Sequence, residues 1–187
     1  MTRTCEHCGE AFSKPVRAGR TPRFCTSRCR VAASRARRVR ESSPVPMGMR
    51  SRARWVRCDA RKRPVSASGV PMSWNRPDAW GKYSVVSKAD YGVGNGFVLG
   101  DGIGVIDLDH CIAEDGSLSL LAENVLRRNP GAYVEVSQSG RGLHVFGMLP
   151  DVSMRLDGYE VYGGEAKRFV WVTGNCFRPG ALPPLVV

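Results

Sequence analysis

The sequence predicts an α+β protein, a mainly antiparallel sheet with helices on one side, preceded by a small metal-stabilised module. Three observations carry that expectation. Cys5, Cys8, Cys25 and Cys29 form two close pairs near the N-terminus. Basic residues crowd the same end of the chain. From Arg54 onward, short Val-, Phe- and Tyr-rich runs alternate with turns marked by glycine and proline, and a single helical stripe interrupts them.

The chain has 187 residues, 42% hydrophobic and 24% charged, enough for one ordinary domain and one small unit. Of 28 Lys/Arg and 17 Asp/Glu, residues 1–54 hold 14 and 3, so the whole net charge of +11 falls on the first part of the chain. Such an arm is suited to nucleic acid. No apolar run reaches the length of a membrane span, and MTRTCEHCGE lacks the apolar core of a signal peptide. The expectation is a cytoplasmic protein (of a host cell, if phage-encoded) with no membrane partner. In that setting seven cysteines point to metal rather than to disulfides. Three segments follow: a zinc module over 1–40, a Ser/Pro/Arg-rich linker over 41–53, and a compact domain over 54–187.

CEHC and CTSRC supply Cys5, Cys8, Cys25 and Cys29, a thiolate set matching tetrahedral structural zinc. Gly9 suits a knuckle turn, and Phe12 and Phe24 offer only a minimal core, so a piece this small needs the metal to fold. His7 lies between ligands as a bystander. The pattern resembles treble-clef-type fingers, in which C-x2-C-G-x-x-F precedes F-C-x-x-x-C-R and an Arg-rich helix. Here that helix carries Arg30, Arg35, Arg37, Arg38 and Arg40, candidates for salt-dependent phosphate contact, with a protein contact as the alternative. Cys58, Cys111 and Cys176 lack ligand spacing and read as incidental thiols.

In the large domain RWVRC reads as a strand. SWNRPDAWGKY, with Pro77 in its first turn, reads as a short helix. GFVLG and GVIDLD are strand-like and tightly connected. Leu118, Leu121, Ala122, Val125 and Leu126 recur at helical spacing, and Asn129-Pro130 ends that helix. YVEVS, GLHVFGML, YEVYG and RFVWVTG complete the strands.

Three of these strands carry polar groups in apolar surroundings. GVIDLD offers Asp107 and Asp109, two apart and therefore expected on one face of the strand, with Leu108 turned away. Two carboxylates that close call for a cation or a shared proton. His144 enters a strand just after a Ser/Gly-rich turn, and Glu160 lies in a strand flanked by aromatics. Spacing alone leaves the third acid open, since Glu165 follows five residues later and Glu135 sits on a neighbouring strand. Asp101 and Asp115 read as turn residues.

In order, Asp107-Leu108-Asp109, the run Ser139-Gly140-Arg141-Gly142-Leu143-His144, and Glu160 followed by Arg168-Phe169 through Thr173-Gly174 resemble the three motifs of the archaeo-eukaryotic primase superfamily. The likeness is to its phage and plasmid bifunctional primase-polymerase (Prim-Pol) domains. The segment from Arg54 to Trp80, with Lys62 and Pro64, is similar to the opening of that family. Glu at position 160 departs from its frequent Asp while keeping the carboxylate.

The resemblance implies an RRM-like sheet fronted by an additional α/β unit, and template-directed nucleotidyl transfer that makes primers on single-stranded DNA in phage or mobile-element replication. It implies Mg2+ or Mn2+ on Asp107, Asp109 and Glu160 beside a structural Zn2+. His144 would bond triphosphate oxygens, with Ser139 and the backbone of Gly140 and Gly142 nearby. Lys167, Arg168 and Lys62 would act as electrostatic clamps for the NTP or dNTP. No P-loop sequence is present, so a separate replicative helicase would be the partner. The rival reading is a non-catalytic zinc-finger accessory protein that binds nucleic acid. An HNH-type nuclease, suggested by Asp109-His110 and Asn124, lacks the later histidine it needs and gives His144 no place.

Overall fold

A computed structural model describes residues 2–15, 21–41, 43–66, 68–150 and 152–187; the side chains of residues 35–41 lie outside that description. The chain divides into two compact units, Met1–Ser43 and Pro44–Val187.

In the first unit β1 (Arg3–Thr4) and β2 (Ala11–Phe12) pair antiparallel around the first cysteine turn. The helix α1 (Ser27–Glu41) starts where the Thr26 hydroxyl accepts the Cys29 N–H at 3.1 Å. Among the described residues of this unit only Cys5 is fully buried; Phe12 and Phe24 are half-buried.

The second unit begins earlier than the composition suggests. Residues 44–53, expected as linker, fold into it: α2 (Met47–Arg50) follows Pro46, and Val45 and Met49 are buried in the core. Trp55 fixes this start by donating its Nε1–H to the Met49 carbonyl at 3.1 Å. A Ser/Pro-rich surface signal hid two apolar anchors.

Next come β3 (Trp55–Cys58) and the short β4 (Pro64–Val65). The expected single helix over SWNRPDAWGKY is instead a 3-10 turn at Pro77–Ala79, with Trp80 extended, and then α3 (Tyr83–Val86). β5 (Gly94–Val98) and β6 (Ile103–Leu108) precede α4 (Leu120–Arg128), which is capped by the Ser119 hydroxyl on the Ala122 N–H. The remaining strands are β7 (Tyr133–Val136), β8 (Leu143–Met148), β9 (Ser153–Leu156), β10 (Tyr159–Tyr162), β11 (Phe169–Val172) and β12 (Cys176–Arg178).

They build two antiparallel sheets, β12-β7-β8-β6-β10-β9 and β11-β5-β3-β4. The larger sheet is apolar on both faces, as a central layer must be. Ile106, Leu108, Val134, Leu143, Val145 and Val161 meet Ala122, Val125 and Leu126 of α4. On the other face Ile103, Val105, Tyr133 and Phe146 join Trp55, Phe97, Val170 and Val172 of the smaller sheet. The fold is thus mixed α+β, mostly antiparallel, with few helices.

Candidate active site and cysteine cluster

Register in the six-stranded sheet produces two adjacent cross-strand rows. Tyr133, Phe146, Val105 and Tyr162 are successive partners across β7, β8, β6 and β10. Two residues along, on the same face, the partners are Glu135, His144, Asp107 and Glu160, and Arg155 of β9 extends the row. The first row is core. The second is where that core gives way to charged and polar side chains. Residues scattered over some fifty positions of sequence become neighbours because antiparallel pairing aligns them.

Asp107 is half-buried, its side chain 26% exposed, and its Oδ1 lies 3.6 Å from His144 Nε2. Burial pushes its carboxyl above the usual carboxylate range. His144 and Lys62 pull it down, while Asp109 and Glu160 push it further up. Asp109 departs from expectation: β6 ends at Leu108, and Asp109 is exposed in a turn continued by His110 at φ 49°. It therefore does not stand beside Asp107 on the strand, although its charge is felt there. Leu108 points to the α4 side, as expected.

Glu160 is the acid opposite Asp107 on β10. Its Oε1 accepts from Arg155 Nε at 3.0 Å, its Oε2 lies 3.9 Å from Arg168 Nη1, and the Tyr162 hydroxyl donates to it. Arg168 also stacks over the Tyr162 ring at 4.0 Å. Glu165 is exposed, and Lys167 is exposed. Lys62 is exposed in the β3–β4 turn at φ 61°.

The turn between β7 and β8 brings Ser139, Gly140 and Gly142 to the end of the row. Three of its N–H groups are already bonded within the turn rather than held open for a phosphate. Gly140 N donates to the Ser137 carbonyl at 3.0 Å and Gly142 N to Ser137 Oγ at 3.1 Å, while Arg141 N reaches Ser139 Oγ at 3.3 Å. A short turn between two paired strands spends its donors on itself. Gly142 has a packing reason instead: a Cβ there would lie 2.7 Å from the Leu108 carbonyl. The glycine of the second motif thus lets it close on the end of the first.

Glu135 on β7 stands opposite His144 in the row. It is fully buried, and its Oε1 faces His144 Nδ1 at 3.0 Å. Thr173 N and Gly174 N donate to it at 3.0 Å each, and the Tyr133 hydroxyl donates at 3.2 Å. Both oxygens are occupied, which leaves it little to offer a cation. The only signal in sequence was its alternation with Tyr133 in YVEVS. Asn124, the nuclease-like residue, is exposed on α4, on the other side of the sheet.

As metal ligands the acids are an open set. Among the described residues, the group of three or more ligand types whose donor atoms all lie within 4.8 Å is Cys5, Cys8, Cys25 and Cys29. The oxygen donors and the raised Asp107 carboxyl suit a hard cation. Glu160 would have to exchange its arginines for it.

The cysteine cluster is compatible with zinc on its geometry. Sγ–Sγ separations are 3.6 Å for Cys8–Cys25 and 3.4 Å for Cys25–Cys29. The backbone N–H of Cys8, with those of Cys25 and His7, pulls the Cys5 thiol down to about 6. Sharing a proton with Cys29 pushes Cys25 up to about 12. Four thiols this close cannot all ionise without a cation. Arg23 and Glu6, paired through Nε and Oε1 at 2.7 Å, tie the two cysteine turns together. Of the helix arginines, Arg30 is exposed; the side chains of Arg35, Arg37, Arg38 and Arg40 lie outside the described residues.

No protein-family model matches the chain. Over 121 residues it is 34% identical to the DNA primase-polymerase of Nitratiruptor phage NrS-1, covering 59% of this chain and 17% of the phage protein. The chain therefore spans about a sixth of that protein's length. The similarity supports a relationship to primase-polymerases over the aligned part. No helix among the described residues is long and apolar enough to cross a membrane.

Proposed function

We propose that this chain is a DNA primase-polymerase that performs template-directed nucleotidyl transfer and makes primers on single-stranded DNA in phage or mobile-element replication. The observation that carries the reading is the polar row: His144, Asp107 and Glu160, one from each of the three motif-like stretches, are successive partners on one sheet face. The similarity to a phage primase-polymerase supports it independently. In this reading the six-stranded sheet is the RRM-like core, and the smaller sheet is the additional N-terminal unit.

Asp107, Asp109 and Glu160 would hold Mg2+ or Mn2+, which when bound neutralises charge on the triphosphate and activates the 3′-hydroxyl. Asp107 presents a carboxylate that burial leaves short of solvent and that Asp109 and Glu160 crowd with like charge, a setting a divalent cation would relieve. His144 turns Nε2 towards Asp107 and would contact triphosphate oxygens. Arg168 and Arg155, now on Glu160, are the cations available to the incoming phosphates when a metal takes that acid. Lys62 and Lys167 add exposed positive charge; Ser139 offers a hydroxyl. The first unit, as a treble-clef-like zinc finger, would grip template phosphates through Arg30, Arg35, Arg37, Arg38 and Arg40. A separate helicase would open the duplex.

A second reading, a non-catalytic nucleic-acid-binding accessory protein, draws on one observation: Glu160 is already paired with arginine and needs no metal. The deciding experiment is primer synthesis on unprimed single-stranded DNA, with labelled NTPs and dNTPs tested separately in Mg2+ and in Mn2+. Metal-dependent products that vanish in the Asp107→Ala/Asp109→Ala variant support the primase reading. DNA binding with no product under any condition supports the accessory reading.

A further inference from the structure

Glu135 lies in the polar row yet is shut off from solvent, and the proposed chemistry gives it no part. Its surroundings are all donors. Thr173 N and Gly174 N come from the turn that ends β11, and the Tyr133 hydroxyl comes from its own strand. Burial drives the Tyr133 phenol far above its ordinary range, so it stays a donor. With three donors converging, the fourth contact, to His144, is one in which Glu135 accepts and Nδ1 carries the hydrogen. Nε2 is then the nitrogen left for the site, and it is the one facing Asp107.

The anchor is itself anchored. Gly174 sits at φ +68°, in the left-handed region that favours glycine, and this conformation lets two successive N–H groups point at one carboxylate. Thr173 Oγ1 donates to the Val136 carbonyl at 2.7 Å, and Val136 N donates to the Asn175 carbonyl at 2.8 Å. The Thr-Gly pair thus ties the end of the smaller sheet to β7 and holds the carboxylate against the imidazole.

We infer that Glu135 is a positioning residue: it binds the Nδ1–H of His144 and fixes the ring with Nε2 turned to the incoming nucleotide, whose phosphate oxygens that nitrogen bonds when it too carries a hydrogen. The part concerning the nucleotide rests on the primase-polymerase reading; the Nδ1–H bond to Glu135 does not. A carboxylate that orients a metal-bound histidine typically matters by about 10- to 100-fold, and an effect of that order is expected here.

The test uses the full, zinc-loaded chain labelled with 15N-histidine. Only His7, His110 and His144 contribute signals, and His144→Gln assigns the third. The wild type should show a proton on His144 Nδ1 that is lost or redistributed in Glu135→Gln. In primer extension, Glu135→Gln should raise KM for the nucleotide about 10- to 100-fold while kcat falls less. A wild-type His144 with its hydrogen on Nε2 alone would overturn the inference, and that spectrum decides even if Glu135→Gln fails to fold. An unchanged histidine spectrum and unchanged KM in a folded Glu135→Gln would also overturn it. If the wild type makes no primers but the Nδ1 signature appears and depends on Glu135, the primase reading falls and the positioning role stands.

Discussion

In the cysteine cluster all four ligand atoms lie within 4.8 Å of one another, held by two turns of chain and almost nothing else. In the polar row the acids are spread over β6, the turn after it and β10, with arginines on one and a histidine beside another. The first set is closed, and among the described residues no cluster of buried apolar side chains surrounds it; the second is open and continues a row of core residues, Tyr133, Phe146, Val105 and Tyr162. A closed thiolate set is what a fold-making metal requires, and an open carboxylate set is what a metal shared with substrate requires. On the proposed reading, the contrast separates a metal the small unit would need in order to fold from one the large unit would need in order to act.

The largest expected effect breaks the first half of that contrast. Stripping zinc, or replacing Cys25 and Cys29 by serine, should abolish the fold of residues 1–43 and leave the large unit's amide spectrum and melting unchanged. Heteronuclear NMR with and without chelator reads both units at once. Next in size is Asp107→Ala, which should lower primer synthesis by on the order of 10²- to 10³-fold or more with the fold intact, as loss of a preorganised electrostatic group does.

A smaller effect sharpens the charge argument. Burial raises the Asp107 carboxyl, so the folded chain holds that proton more tightly than the unfolded chain. Stability of the large unit without divalent metal is therefore lost as pH rises from the ordinary Asp value, near ~3.9, through the raised one. Asp107→Asn should remove that loss and raise Tm at neutral pH. Melting curves at pH 4 and pH 8 measure it, with the variant the more stable only at the higher pH. The smallest effect concerns the basic helix: Arg30→Ala should weaken DNA binding and flatten the slope of log K against log salt by about 1, without regard to Mg2+.

Much of this was legible in advance, for physical reasons that differ by residue. The stripe from Leu118 to Leu126 announced α4 because helical spacing and burial coincide there. Cys5, Cys8, Cys25 and Cys29 were legible because zinc ligands come in local pairs. Asp107, His144 and Glu160 stood out as polar groups inside apolar runs. The strand β9 was missed because Ser153–Leu156 is an exposed edge with no buried face to alternate, although Asp157-Gly158 is a hairpin-forming pair. Val45 and Met49 were hidden by the prolines and serines around them. Asp109 was set on the strand because alternation does not say where a strand stops. Glu135 was out of reach for a deeper reason: its partners come from β8 and from the turn after β11, and pairing register is a tertiary fact.

The measurement that bears most directly on the contrast is Mn2+ binding to the zinc-saturated protein, followed by electron paramagnetic resonance, with and without a non-hydrolysable nucleoside triphosphate. The account predicts weak Mn2+ binding by the protein alone, marked tightening by the triphosphate, and loss of that tightening in Asp107→Ala. Mn2+ affinity that ignores the triphosphate, or that survives Asp107→Ala unchanged, would contradict it.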